Sequence, residues 1–158
     1  MLPYFFNFGG DLMSKDVYED LDSLFADLLE DIQTSVAQEI AEQIIDIEQD
    51  IIDENVYETF EPRVYERRED EGGLRSRENM DIKIKSNDNG VTVEVTNITK
   101  GNSDYKNYYR GYIQPLIEEG RYMWTRRPPA RPFVDDVQKE IDKNAEDIVE
   151  EALSKNNW

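Results

Sequence analysis

The first acidic part of the chain carries apolar residues at steps of three and four, the spacing of one face of an α-helix. Nearly every acidic residue falls outside this stripe, so we predict an amphipathic helix. Ser35 and Gln38 have the spacing of a capping box, at which a helix can restart, so the alternative is two helices in line. A continuous helix over residues 16–54 would be roughly 58 Å long, which exceeds the diameter of a domain of this size. Part of the helix must therefore pack on something else, and a partner subunit is the simplest candidate. The stripe comprises Leu21, Leu24, Phe25, Leu28, Ile32, Val36, Ile40, Ile44, Ile47 and Ile51.

The middle of the chain alternates apolar and polar residues in two short segments, residues 81–85 and 91–95, as half-buried β-strands do. The Asn-Gly step at 89–90 favours a tight turn, so the two segments are predicted to pair as a β-hairpin. Ile98 and the tyrosine-rich residues 105–112 are expected to supply a third strand or a loop.

Helix signals return towards the C-terminal end. A short helix is predicted over residues 113–119, because Gly120 follows it as a terminator. Residues 126–132 contain three prolines and should be extended. One closing helix is predicted after Pro132, with a narrow apolar seam along one side. The seam comprises Val134, Val137, Ile141, Ala145, Ile148 and Ala152.

These patterns together predict the α+β class, with a long N-terminal amphipathic helix, a small antiparallel sheet containing a β-hairpin, and a C-terminal helix packed on the sheet. We divide the chain into an N-terminal apolar arm and one α+β domain. The arm is residues 1–13; the domain, residues 14–158, comprises the long helix (14–55), an arginine-rich connector (56–80), the sheet and short helix (81–125) and the closing helix (133–154).

Charge excludes several classes of function. The 158 residues include 36 acids and 18 bases, a net charge of -18. This balance argues against a free-standing nucleic-acid binder and against binding to an anionic membrane surface, both of which need Lys and Arg. The charge is also uneven, with a net of -16 over residues 1–61, +3 over 62–132 and -5 over 133–158.

The chain has neither cysteine nor histidine, so disulfides, thiol nucleophiles, imidazole bases and the metal sites built from them are absent. Carboxylate clusters such as Asp46, Asp50, Asp53 and Glu54 could in principle perform acid–base chemistry or hold Mg²⁺. A solvated helix face explains them better. No nucleophile motif and no phosphate-binding glycine loop occurs, so we expect no enzyme activity and no cofactor. Residues 2–8 are apolar but lack a signal peptide's features, and no apolar run is long enough for a membrane helix.

Two sequence motifs, in this order along the chain, resemble those of a known protein family. The first runs Val-Tyr-Glu-Thr-Phe-Glu-Pro-Arg-Val-Tyr-Glu-Arg-Arg over residues 56–68, then Gly-Gly-Leu at 72–74 and Glu-Asn-Met at 78–80. The second is Leu-Ile-Glu-Glu-Gly at 116–120, followed by Arg-Pro-Phe at 131–133. Their content and order resemble the tail-completion and head–tail connector (neck) proteins of tailed bacteriophages, over roughly residues 15–153.

The resemblance implies a structural virion protein, made in the host cytoplasm, that forms an oligomeric ring at the head–tail junction. Its partners would be further copies of itself and neighbouring neck, portal-side or tail-tube proteins, while genome DNA passes without specific binding and no membrane is involved. The apolar arm could dock on a neighbouring subunit. The subunit-interface candidates are Phe5, Phe6, Phe8, Arg63, Tyr65, Arg67, Arg68, Arg75, Arg131 and Phe133.

The arginines of the connector, among them Arg75 and Arg77, could pair with the acidic helix of the next protomer. The alternative is that they are solvated or bridge within the subunit. Excess acid facing a central channel would repel phosphate and let DNA slide. A different class of function is an acidic inhibitor that mimics DNA and binds a basic host protein, and a metal-dependent carboxylate enzyme comes third.

Overall fold

A long helix and a small antiparallel sheet form the two layers of the fold, which confirms the predicted α+β class. The computed structural model describes residues 4–8, 19–59, 71–87, 90–101, 111–120 and 129–157. In chain order the elements are β1 (Tyr4–Phe8), α1 (Glu19–Ile52), β2 (Met80–Asn87), β3 (Gly90–Asn97), α2 (Gln114–Glu119), α3 (Val134–Lys143) and α4 (Ala145–Lys155).

The long helix is a single element. α1 has 34 residues, about 50 Å at the usual rise, and runs through Thr34 and Ser35 without a break into a π-helical turn at Asp53–Tyr57. α1 contacts β2, β3, α3 and α4, so its buried surface is wider than one stripe. The buried positions include Ala37, Ala41, Ile45, Glu48 and Ile52 besides the predicted Val36, Ile40 and Ile44, whereas Ile47 and Ile51 are only half-buried.

The predicted hairpin is confirmed. β2 and β3 pair antiparallel from Met80 opposite Asn97 to Asn87 opposite Gly90. Val91, Val93 and Val95 of β3 are fully buried and form the part of the core that faces α1. The alternate residues of the hairpin are mostly polar or charged, and Glu94 pairs there with the lysines of β2. This alternation puts one face of the sheet in the core and leaves the other polar.

The third strand is β1. It pairs antiparallel with β3, with Tyr4 opposite Val95 and Phe8 opposite Val91, so that the sheet order is β1–β3–β2. The predicted apolar arm therefore includes a strand of the chain's own sheet. Residues 102–110, where a third strand or loop was predicted, lie outside the described residues. Beside them Lys100 and Tyr112 form an isolated antiparallel bridge.

The C-terminal region contains two helices where one was predicted. α3 and α4 meet at Asn144, whose φ of -104° and ψ of 14° are not helical. The Asn144 side chain donates to the Glu140 carbonyl at 2.9 Å and so competes with the regular backbone pattern. The apolar seam persists across the junction, since Val137, Ile141, Ile148 and Ala152 are all buried.

The short helix α2 is confirmed. It ends at Gly120, whose φ of 66° is left-handed, a conformation that favours glycine. Of the segment 126–132 that was predicted to be extended, residues 126–128 lie outside the described residues, and residues 129–132 carry no regular secondary structure.

Candidate functional site: two motif clusters and an exposed acidic surface

The described residues of the first motif converge on a buried polar cluster between α1 and the end of β3. Thr99 Oγ1 and Asn79 Nδ2 both donate to the Gly73 carbonyl, at 3.2 and 2.8 Å. Asn97 Nδ2 donates to the Leu74 carbonyl at 2.7 Å, and Asn97 Oδ1 accepts from the Thr99 hydroxyl at 2.6 Å. The Gly-Gly-Leu and Glu-Asn-Met segments of the motif are therefore held together by side chains at the end of β3. We call Glu48, Asn97 and Thr99 with these carbonyls the Asn97 cluster.

Glu48 is the charged member of this cluster. Its side chain is fully buried, and Asn97 Nδ2 donates to Glu48 Oε1 at 3.0 Å. Among the described residues Glu48 Oε2 has no hydrogen-bond partner. Burial raises the pKa of Glu48 from 4.5 to about 7, and the hydrogen bond from Asn97 offsets this only in part. Glu48 is therefore about half protonated at neutral pH.

The segment that follows Gly72 is also tied to the C-terminal end of α1. Gln49 Nε2 donates to the Arg75 carbonyl at 2.8 Å, and the Arg75 N–H donates to the Tyr57 hydroxyl at 3.3 Å. Arg75 Nε lies 3.2 Å from Asp53 Oδ2. Three separate contacts to one helix end thus fix Arg75 in place.

The predicted pairing of arginines with an acidic helix occurs within the chain for the two arginines that the structure describes here. Arg75 pairs with Asp53, and Arg77 Nε donates to Glu42 Oε2 at 3.0 Å. The interpretation that these arginines bridge within the subunit fits both. The other interface candidates of the connector, Arg63, Tyr65, Arg67 and Arg68, lie outside the described residues.

The two parts of the second motif also contact each other. Glu118 Oε1 accepts from the backbone N–H groups of Phe133, at 2.9 Å, and Val134, at 3.2 Å. It therefore caps the first turn of α3, where free N–H groups need an acceptor and the helix dipole favours a negative charge. Burial raises the pKa of Glu118, while these two hydrogen bonds lower it. The Arg131 N–H donates to the Ile117 carbonyl at 3.0 Å.

Arg131 links the two motifs. Its Nη1 donates to the carbonyl of Val56, the first residue of the first motif, at 3.3 Å. Arg131 is 8% exposed and Phe133 is 0% exposed. Both were predicted to lie at a subunit interface, and the structure places them in the interior of their own chain, because the Arg-Pro-Phe segment passes between α2 and the end of α1 before α3 begins.

The remaining interface candidates lie on β1. The register sets Phe6 opposite Val93 and Phe8 opposite Val91, so these positions share the core face of the sheet, while Phe5 is opposite Glu94 on the polar face. Their backbone belongs to the chain's own sheet.

The exposed surface of the described helices is acidic. Asp46 and Asp50 are exposed on α1, Glu54 is exposed on the π-helical turn that follows it, and α3 and α4 expose further carboxylates. Between α1 and α3 runs a groove of about 580 Å³ whose lining includes the half-buried Ile47 and Ile51 with acids on either side. Across it Asn55 Nδ2 donates to Asp136 Oδ2 at 3.0 Å. The hydrogen bond from Lys139 lowers the pKa of Asp136.

Exposed apolar side chains lie towards the N-terminal end of α1. The described side chains from Ala26 to Asp31 are all exposed, including Leu28 at 46% and Leu29 at 54%. Ile32 packs against the core, and Gln33 Oε1 accepts from the Ser86 hydroxyl at 3.1 Å.

Within the described residues, acidic side chains do not gather into a group of three or more suited to a metal ion. Nor does any described helix combine the length and apolar character needed to cross a membrane.

The profile of the YomN family matches residues 20–156, from the second residue of α1 to the residue after α4. The chain belongs to the YomN family. This phage-derived family, of the Bacillus prophage type, indicates a phage protein. No curated protein and no solved structure matches the chain.

The match includes both motifs and leaves out β1. In this YomN-family chain the residue that sequence analysis missed is Glu48. Of the four acids singled out for possible chemistry, Asp46, Asp50 and Glu54 are exposed, and Asp53 is half-buried and pairs with Arg75. A signal was present, since Glu48 stands four residues from both Ile44 and Ile52, at a core position of the helix.

Proposed function

We propose that this YomN-family protein is a non-enzymatic structural component of the virion that forms an oligomeric ring at the head–tail junction. It would join the tail to the head as a neck or tail-completion protein. Its partners would be further copies of itself and neighbouring neck, portal-side or tail-tube proteins.

The observation that carries the proposal is the meeting of the two motifs, which are separated in the sequence. The Arg131 guanidinium of the second motif donates to the Val56 carbonyl of the first, and Glu118 caps the helix that the second motif opens. The motifs therefore act together as internal contacts of one fold, so the two strings that carry the resemblance belong to one structural unit. Membership of a phage-derived family supports a phage origin for this protein.

Charge supports the proposed passage of DNA. A lumen lined by exposed carboxylates such as Asp46 and Asp50 would repel the phosphate backbone and leave the genome free to slide. The proposal does not require any protein–DNA contact.

Cryo-electron microscopy of the head–tail junction of purified particles tests this function. We expect a closed ring of this chain between the head and the tail, with acidic helices towards the lumen. A ring with a neutral or basic lumen would remove the sliding hypothesis and keep the neck function. Absence of the chain from mature particles would overturn the neck function itself.

One observation favours a second candidate, an acidic inhibitor that occupies the DNA groove of a basic host protein. Exposed carboxylates recur on three helices, including Asp50 on α1, Asp142 on α3 and Glu146 on α4. A pull-down with a purified basic host nuclease, repeated at rising salt, would support this candidate if binding were tight and collapsed at high ionic strength.

A further inference from the structure

The hydrogen-bond donors of the Asn97 cluster are all in use. Asn97 Nδ2 carries two N–H groups, and it donates to Glu48 Oε1 at 3.0 Å and to the Leu74 carbonyl at 2.7 Å. The single hydroxyl proton of Thr99 is shared between Asn97 Oδ1 and the Gly73 carbonyl. The cluster therefore has no donor left for Glu48 Oε2, which is buried and has no hydrogen-bond partner among the described residues.

The segment 73–79 of the first motif covers this cluster towards the surface. Gly73 and Leu74 are buried, and their carbonyls accept the hydrogen bonds from the cluster. On either side of them Gly72 and Arg75 are only half-buried, and Arg77 is exposed. A displacement of a few residues would therefore bring water to the Glu48 carboxyl group.

The other contacts between this segment and α1 lie nearer the solvent. The side chains of Arg75 and Asp53 are about one-third exposed, and those of Arg77 and Glu42 are more than 40% exposed. Ion pairs with this much exposure contribute little to stability. Gln49 adds one part-buried hydrogen bond to the Arg75 carbonyl. The buried cluster is therefore the main attachment of the segment to the helix.

We propose that the Asn97 cluster is a proton-dependent latch, which holds the segment 73–79 against α1 while Glu48 is neutral and lets the segment open locally once Glu48 is charged. A neutral carboxyl group tolerates a missing hydrogen-bond partner, whereas a carboxylate in the same place requires hydration. Water reaches Oε2 when the segment moves aside. The inference goes beyond the proposed function, because it concerns a single subunit and does not depend on what the subunit assembles with.

Charged groups on the neighbouring elements do not supply the missing donor. Burial and the hydrogen bond from Asn97 set the pKa of Glu48 at about 7, with no contribution from a charged side chain of the described residues. The charged side chains on the elements that pack on α1 form ion pairs or hydrogen bonds elsewhere, and the acids two residues to either side of Glu48 are exposed. They include Arg75 and Arg77 of the segment, Asp81 of β2, Glu94 of β3, Glu118 of α2, Lys139 of α3, Lys155 of α4, and Asp46 and Asp50 of α1.

Hydrogen exchange of backbone amides tests the latch in the full-length protein. The reporters are the N–H groups of Ser76, Asn79 and Thr99, which donate to the Gly73 carbonyl, the Ser76 carbonyl and Asn97 Oδ1. At each pH the opening equilibrium of the wild type is divided by that of Glu48→Gln, so the intrinsic pH dependence of exchange cancels. We expect this ratio to rise about seventy-fold from pH 5 to pH 8, the factor given by a pKa of 4.5 in the open state and about 7 in the closed state.

Low concentrations of urea show whether the opening is local. The reference is the N–H group of Val93, in the central strand of the sheet. A local opening exposes little surface, so exchange at the reporters should barely respond to urea and should be faster than exchange at Val93. Equal urea slopes at the reporters and at Val93 would mean that the segment opens only with the whole fold, which would overturn the latch. A ratio that does not change with pH would overturn it as well.

Two further measurements complete the test. Asp50→Asn removes an exposed acid two residues away on the same helix and should exchange like the wild type, whereas a change equal to that of Glu48→Gln would contradict the inference. Carbon-13 NMR titration of the Glu48 carboxyl group needs no variant, so it remains decisive even if Glu48→Gln does not fold. We expect a pKa of about 7, and a pKa near 4.5 would overturn the latch. Absence of the chain from virus particles would overturn the neck function and leave these results standing.

Discussion

Glu48 places a carboxyl group at a fully buried position of α1, where an apolar core residue would be expected. Asn97 satisfies one oxygen, and the other has no hydrogen-bond partner among the described residues. A neutral carboxyl is tolerated in such a site far better than a carboxylate, because burial of an uncompensated charge is costly. The folded state therefore holds a proton that the unfolded chain releases.

This difference predicts how stability depends on pH. The pKa of Glu48 in the folded state, about 7, lies above its value of 4.5 in the unfolded chain, so the contribution of this group to stability is full below pH 4.5 and is lost as the pH rises to about 7. The loss is about 3 kcal/mol in the free energy of unfolding. Glu48→Gln, which stays neutral, should lack it and be more stable than the wild type above pH 7.

Urea denaturation of both proteins at pH 5 and pH 8 measures the effect. Glu146→Gln, at an exposed position of α4, controls for the removal of one surface acid. If Glu48→Gln loses stability between the two pH values as steeply as the wild type, Glu48 is not the group responsible.

Asn97 is the residue on which the cluster depends. Its side chain joins Glu48, the Leu74 carbonyl and Thr99. Asn97→Ala should lower the free energy of unfolding by about 3 kcal/mol, because several buried polar groups lose partners at once. Chemical denaturation checks the value, with Gln38→Ala, at an exposed position of α1, as a surface control. A loss below about 1 kcal/mol would mean that water or a rearrangement replaces Asn97.

At the scale of elements, the strand pairing of β1 can be tested directly, because the chain contains no cysteine. Asn7 lies opposite Thr92 in the register. Oxidised Asn7→Cys with Thr92→Cys should form a disulfide within one chain, run as a monomer on a non-reducing gel and melt at a higher temperature than its reduced form.

The other outcome of that experiment is also informative. A disulfide-linked dimer would show that β1 completes the sheet of a second subunit, as the apolar-arm prediction supposed. Asn7→Cys alone, which lacks its opposite cysteine, controls for random oxidation between molecules.

Local signals allowed several elements to be predicted. The Asn-Gly step lies between the strands that it joins, and Gly120 follows directly on the helix that it ends, so each signal is within a few residues of its effect. β1 was missed as a strand because its partner β3 lies far along the chain. The division at Asn144 was missed because the apolar seam continues through it and asparagine is an ordinary helix residue.

In the candidate site, too, local strings of residues could be predicted and contacts between distant residues could not. The motifs were found as strings of residues, but the contact between Arg131 and Val56 depends on the folded path of the chain, and so does the burial of Phe133. Sequence analysis named Arg131 and Phe133 as interface candidates because the resemblance implied a ring of subunits, and a basic and an aromatic residue beside a proline serve equally well as internal contacts.

At the scale of the whole molecule, net charge dominates. A net charge of -18 repels itself in the compact state more than in the expanded one. Raising NaCl from low salt to roughly 0.3 M should therefore raise the melting temperature by about 3 °C, equivalent to about 1 kcal/mol. Sucrose of matched osmolality controls for non-ionic effects. A melting temperature that falls with salt would mean that ion pairs such as Arg75 with Asp53 outweigh the repulsion.

The position of β1 in the sheet also has a consequence for biosynthesis. β1 is made well before its only partner strand in the described sheet, β3, because roughly ninety residues separate Phe6 from Val93. At about 5–20 residues per second, a ribosome needs on the order of 5–20 s to supply the missing partner. During that interval the nascent chain presents an unpaired aromatic strand. A chaperone that binds this nascent chain should therefore bind at β1.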